Sequence, residues 1–411
     1  MSEWTTMAVA CALLAAGCSR IPDSAAMRSF GEDLKFLKEH TDAVLLSDEA
    51  GRAQAVVVPQ YQGRVMTSTS AGAKGMSYGW INHKLIASGK TVPHMNVFGG
   101  EDRLWFAPEG GQFSIFFKKG EPFDLEHWQT PAVVDSEPYD VVDKQADSVS
   151  FRKRSQLVNY SGTKLDFQID RTVRVLAAGR IAEAVTVPMP EGVSAVGFES
   201  ETKMTNTGEE AWEKKTGLLS IWILGQYNPT PGTTIAIPFK AGSEAKLGPV
   251  LNPYPSFGEL VPERLKIKGN VVYFRGDGLR RNKIGIYGRR AAGVCGSFDA
   301  TNGLLTIVQF NQPAGAKDYV NSAWAIQKAP YVGDAISSYN DGPLKPGEKA
   351  LGGFYELETL SPGAALKPGG SIVHVHRTLH FQGPREGLDR IAKATLKLGL
   401  DDITSALPKG P

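Results

Sequence analysis

Cysteine, charge imbalance and long apolar runs are all scarce in this 411-residue chain. Three cysteines, Cys11, Cys18 and Cys295, are too few for a disulfide scaffold. Lys and Arg total 45 against 43 Asp and Glu, a net charge of +2. That near-balance provides no basic field for nucleic acid and no acidic field for a polycation. The apolar run at 7–16 falls well short of the roughly 20 residues a membrane-spanning helix needs. Several signatures are missing: no P-loop, no dinucleotide fingerprint, no Gly-x-Ser-x-Gly elbow and no His-Glu-x-x-His. No nucleotide partner and no cofactor are therefore expected. Tandem repeats, low-complexity tracts and composition breaks are absent too, which favours one large domain.

What is present is turn chemistry between short β-type segments. Gly 45 and Pro 25 suit many strands joined by turns rather than a helical bundle. Val-rich runs bounded by Gly, Asp or Ser occur at 43–46, 53–59 and 63–68, and further candidates follow at 79–82 and 92–98. Strand patterns continue through 148–176, 196–206, 218–224, 232–240, 270–275, 284–287, 304–310 and 324–327. Helical spacing is confined to the ends. Phe30, Leu34, Phe36 and Leu37 share one side of 30–40, and Leu388, Ile391, Ala392, Thr395, Leu396 and Leu398 form a stripe over 386–398. The expectation is an all-β chain, a large antiparallel β-supersandwich with a short N-terminal helix and a C-terminal helix.

At the N-terminus, small residues at 14–17 directly precede Cys18, an arrangement that resembles a bacterial lipobox. The resemblance implies a signal peptide over 1–18, a lipid on Cys18 and attachment to the membrane through it. Glu3, with no Lys or Arg beside it, departs from the usual basic start; a buried N-terminal helix is the alternative. Ser19, in place of an Asp, points to the periplasmic side of the outer membrane. The remaining boundaries are 19–42 for a linker and short helix, 43–384 for the sandwich, and 385–411 for the closing helix and tail.

Residues 354–381 read as two strands joined by a loop. A side-chain period of two puts Glu356 and Glu358 on one face and Tyr355 and Leu357 on the other. On the second strand His374, His376 and His380 share a face. Leu357-Glu358-Thr359, then Pro362 and Leu366-Lys367-Pro368-Gly369, resembles the C-terminal signature of galactose mutarotases (aldose 1-epimerases). Gly370 stands where that signature usually has Glu. The resemblance implies a mutarotase-like supersandwich with Glu358 as general base. It also implies an acid histidine on the strand following 196–206, but 218–224 contains none. Residues 99–105, 321–324 and 338–343, with 354–358, are similar to an uncharacterised bacterial lipoprotein family of mutarotase-like fold.

The candidate catalytic residues are Glu358 and Glu356, with His374 or His376 as the missing proton donor. Either glutamate is alternatively held by an arginine such as Arg377. A metal on the His-x-His strand is not favoured, because no Cys, Asp or Glu stands nearby to complete the ligands. The candidate substrate-binding residues begin in the glycine-flanked stretch 96–117. Glu101, Asp102 and Arg103 can bind hydroxyls or pair internally, and Trp105 can stack on a sugar face or fill the core. Trp222, Asn321, Trp324, Asn340 and Asp341 complete the set, with turn capping as the alternative for Asn340 and Asp341. Arg280, Arg281 and Lys283 can receive an acidic sugar such as a uronate, or form a solvated edge strand. Two functions follow: an epimerase, hydrolase or lyase acting on a sugar in a concave sheet, or a non-catalytic carbohydrate-binding lipoprotein.

Overall fold

The computed structural model describes residues 28–345 and 347–408. The segment expected to be a signal peptide, and Cys18, lie outside these residues. Among the described residues, strands form three antiparallel sheets of three, six and ten strands. Among the described residues, no helix is long and apolar enough to cross a membrane.

The chain enters through helix Phe30–His40, as the spacing predicts. Ser29 caps it in a reciprocal box: its hydroxyl accepts from the Glu32 amide, and the Glu32 carboxylate accepts from the Ser29 amide at 2.8 Å. Phe30 and Leu37 are fully buried against Val56, Val58 and Met66 of the three-stranded sheet.

The six-stranded sheet runs in the order Leu251–Pro253, Asn282–Tyr287, Asp334–Asn340, Tyr355–Leu360, Ser220–Tyr227, Arg103–Ala107. The ten-stranded sheet extends from Leu265–Lys268 to Asp140–Lys144. Ser371–Gln382 lies inside it, between Leu304–Phe310 and Ser194–Asn206. One face of the smaller sheet, carrying Ile284, Ile286, Ile336 and Leu357, packs on Ile235, Val272, Phe274 and Val308 of the larger one. All eight are fully buried, and each contributes about 1.5–3 kcal/mol of apolar transfer. The outer face of the larger sheet is covered at Leu305, Ile307, Leu379 and Phe381 by helices Ala178–Val185, Arg385–Leu396 and Leu400–Ser405. The all-β supersandwich expected from the sequence is the observed architecture.

Four local expectations are corrected. Helices are not confined to the ends: Asn82 caps His83–Ser88 by accepting from the Leu85 amide, and Ala178–Val185 covers the large sheet. The closing helix is split, because Lys397 takes a left-handed conformation (φ 62) before Leu400–Ser405. Residues 92–98 form no strand: Asn96 Oδ1 accepts from the Val92 amide, and His94 has a φ of 67, so the run folds on itself. Residues 324–327 are likewise turned, with Gln327 Nε2 donating to the carbonyls of Asn321 and Ala323.

Candidate functional site

In an antiparallel sheet, residues directly opposite each other share a face. Register therefore assembles three rows across the six-stranded sheet, on the face turned away from the core. The first is Lys283, Tyr339, Glu356 and Gln226; the second is Ser337, Glu358, Leu224 and Arg103; the third is Leu360, Trp222 and Trp105. A cavity of about 570 Å³ opens against this face, within the roughly 300–1,000 Å³ usual for small-molecule sites.

Two loops complete the walls. The segment after Arg103–Ala107 brings in Glu109 and Trp128, and the 321–327 turn brings in Trp324. Gln112 and Gln327 clamp these loops together with two 2.9 Å bonds. Gly110 is required at the crossing, since a Cβ there would meet the Ala323 carbonyl oxygen at 2.5 Å. Trp105 meets Trp222 edge-on at 5.5 Å, and Trp128 stacks near Trp324 at 6.1 Å. Four tryptophans thus line one cavity.

Charged groups sit among these rings in pairs. Arg103 Nη2 donates to Glu356 Oε1 at 3.1 Å while its guanidinium lies 4.4 Å from the centre of a Trp105 ring. Gln226 Nε2 donates to the same Oε1 at 2.9 Å, so Glu356 Oε2 has no protein hydrogen bond among the described residues. Burial pushes the Glu356 carboxyl well up, against the pull of Arg103 and with further push from Glu358. One strand step away, Glu358 is fully buried. Lys283 Nζ reaches both its oxygens at 3.3 Å, and the Trp222 indole N–H donates to Oε2 at 2.9 Å. Burial works to lower the Lys283 pKa, but Glu358, Glu109 and Glu356 together raise it above the ordinary lysine value. Burial likewise raises Glu109. Behind Lys283, a void of about 10 Å³ touches Glu109, Tyr254 and Asp334. Burial pushes Asp334 up to about 7, although the Tyr254 hydroxyl and Asn252 both donate to it.

The structure brings Arg103, Trp105, Trp222, Trp324 and Glu356 together on the cavity wall, with Glu358 beneath. It does not bring in the other candidates. His374 and His376 project from the ten-stranded sheet toward the back of the smaller one, where both bond to Thr359 Oγ1 at 2.9 and 2.8 Å. Burial lowers them to about 3 and about 4, so they are neutral core imidazoles rather than proton donors in the cavity. Glu101 meets His380 Nε2 at 2.6 Å, and Asp102 meets Arg171; all four side chains are fully buried between the sheets. The glycines at 99 and 100 approach the Trp80 carbonyl and Arg64, not open space. Asn340 binds the Gly278 amide and the Arg280 carbonyl. Asp341 accepts from the Gly352 and Gly353 amides, and Asn321 from the Ala323 amide. All three fasten turns. Lys283 is no edge residue, because its strand lies between two others.

Sequence reasoning missed Glu109, Trp128 and His94. The first two stand in loops without periodicity. His94, at the cavity rim, donates from Nδ1 to the Trp128 carbonyl at 2.6 Å, which leaves Nε2 without a protein partner among the described residues. Its positive φ has no sequence signal beyond the preceding Pro93.

No curated protein matches the chain. Solved structures similar to it include the Slr1438 protein from Synechocystis sp. PCC 6803, 12% identical, covering 84% of this chain and 96% of that one at a TM-score of 0.49. A galactose mutarotase-like protein from Lactobacillus casei ATCC 334 is 11% identical, with coverage of 82% and 99% and a TM-score of 0.48. A galactose mutarotase related enzyme from Lactobacillus acidophilus is 9% identical, with coverage of 82% and 97% and a TM-score of 0.44. A family model spans residues 28–407, and the chain belongs to that family, a family of unknown function (DUF6786).

Proposed function

We propose that this protein binds a carbohydrate in the cavity on the outward face of the six-stranded sheet. The observation that carries the reading is the convergence of Trp105, Trp128, Trp222 and Trp324 on a site that also holds Arg103 and Glu356. Flat rings take the C–H faces of a sugar, and the charged groups take its hydroxyls in bidentate fashion. A glycan screen read by tryptophan fluorescence tests this. Binding with quenching or enhancement is the expected result. A panel with no ligand, while the protein is folded by circular dichroism, refutes it.

A second reading, acid/base chemistry on the bound sugar, is favoured by Glu356. A carboxyl whose pKa burial pushes up, with Oε2 unengaged by protein, is suited to exchange a proton with a bound sugar. Glu358, with both oxygens engaged, positions Lys283 instead. Glu356→Gln is expected to abolish any turnover found in the screen while binding persists. Turnover that survives E356Q excludes Glu356 as the acid.

Attachment to the cell envelope through a lipid on Cys18 is part of the same proposal, supported by the small residues at 14–17. Cys18→Ser is expected to move the protein from the detergent phase to the aqueous phase in a phase partition. An unchanged distribution refutes the anchor.

A further inference from the structure

We infer that the cavity selects an anionic sugar, with Arg281 forking the carboxylate of a uronic acid. This deepens the carbohydrate reading above and rests on it. Arg281 stands two residues before Lys283, and its side chain lines the same cavity. The other two strong cations on that wall are matched: Arg103 by Glu356 at 3.1 Å, Lys283 by Glu358 at 3.3 Å. Among the described residues Arg281 forms no ion pair, and its buried Nε has no hydrogen-bond partner. Arg281 is half-buried, and its buried Nε is unfavourable until an acceptor is supplied.

The remaining polar atoms of the wall point the same way. The buried Nε of Arg103 and the indole Nε1 of Trp105 also lack partners, while the indole N–H groups of Trp128 and Trp324 face the Glu109 carboxylate. Gln226 Oε1 and Glu356 Oε2 are acceptors left open beside them, so the wall suits a ligand that carries both acceptor oxygens and hydroxyls. Phe257, Tyr339 and Phe354 line the cavity with Arg281, and apolar walls beside a charge strengthen a charge–charge contact. The planar guanidinium fork matches the two coplanar oxygens of a carboxylate better than it matches single hydroxyls. Glu109 and Glu126 also line the cavity; burial disfavours the ionised form of Glu109, and Glu126 is exposed to solvent.

Calorimetric titration of the whole protein distinguishes the possibilities. The probes are disaccharides of galacturonate, glucuronate and mannuronate, the same sugars after carboxyl reduction, and a sulfated disaccharide. At least one uronate is expected to bind roughly tenfold or more tightly than its reduced counterpart. Arg281→Gln is expected to remove that preference and leave affinity for the reduced sugar unchanged. Equal binding of charged and reduced sugars overturns the anionic assignment and leaves the carbohydrate reading standing. A preference for the sulfated probe, or a uronate preference that persists in R281Q, also overturns it. Binding of none of the probes, nor of any neutral glycan, overturns both.

Discussion

Replacing Lys283 with Met, alone and together with Glu358→Gln, tests whether the charges beneath the cavity act as a unit. The side chains of Glu358 and Lys283 are 0% and 7% exposed. Without the ammonium, Glu358 keeps only the Trp222 indole N–H at 2.9 Å, in a site shared with Glu356 and Glu109. Removing one partner of a buried ion pair costs about 3–5 kcal/mol, and K283M is expected in that range. E358Q alone is milder, at about 1–2 kcal/mol. The ammonium in E358Q still faces Glu109 and Glu356 and lies 4.9 Å from the centre of a Trp222 ring. The double variant removes both charges at nearly constant volume and should fall within about 1–2 kcal/mol of the wild type. The expected coupling is thus about 4 kcal/mol. Urea denaturation followed by far-ultraviolet circular dichroism measures all four proteins. Free-energy changes that add to within about 0.5 kcal/mol would show that the two groups do not depend on each other, and would refute the argument.

Three further outcomes follow from the same coordinates. Trp324→Ala should weaken glycan binding about tenfold or more with little loss of stability, because Trp324 is only partly buried; unchanged affinity in the titration removes it from the site. Because burial lowers His374 and His376 to about 3 and about 4, the folded form resists protonation while the unfolded chain takes protons near 6.5. Their contribution is complete above pH 6.5 and declines as pH falls toward 4, by about 1.4 kcal/mol per unit for each histidine. His376→Leu should flatten the urea midpoint between pH 7 and pH 5, and an unaltered slope contradicts the assignment. Arg171→Met, which strips Asp102 of its fully buried partner, should cost about 3–5 kcal/mol while leaving the affinity of the folded fraction unchanged. A selective loss of binding in that variant would place Arg171 in ligand recognition.

The period-two pattern at 355–360 was enough to put Glu356 and Glu358 on one face, and the pairing register agrees. It also grouped His374, His376 and His380 correctly along their own strand. What periodicity does not contain is which sheet a strand joins. The two segments read as strands joined by a loop lie in different sheets, and the histidines meet the reverse side of the glutamate strand through Thr359. A similar limit applies to 101–103: alternation sends Arg103 to the cavity and Asp102 to the core, but the choice of side is made by Arg171 on a distant strand. Glu109, Trp128 and His94 were invisible for another reason. They belong to connections whose course is set by contacts such as Gln112 with Gln327, more than 200 residues apart in sequence.

The three rows of side chains across the six-stranded sheet restrict how this molecule can diverge. Inserting or deleting a single codon within 355–360 would exchange Glu356 and Glu358 for their apolar neighbours, turning carboxylates inward and leucine outward. New ligand preferences can therefore arise by altering the lengths of the loops around 108–130 and 321–333, while the strands beneath tolerate replacement but not a change of frame.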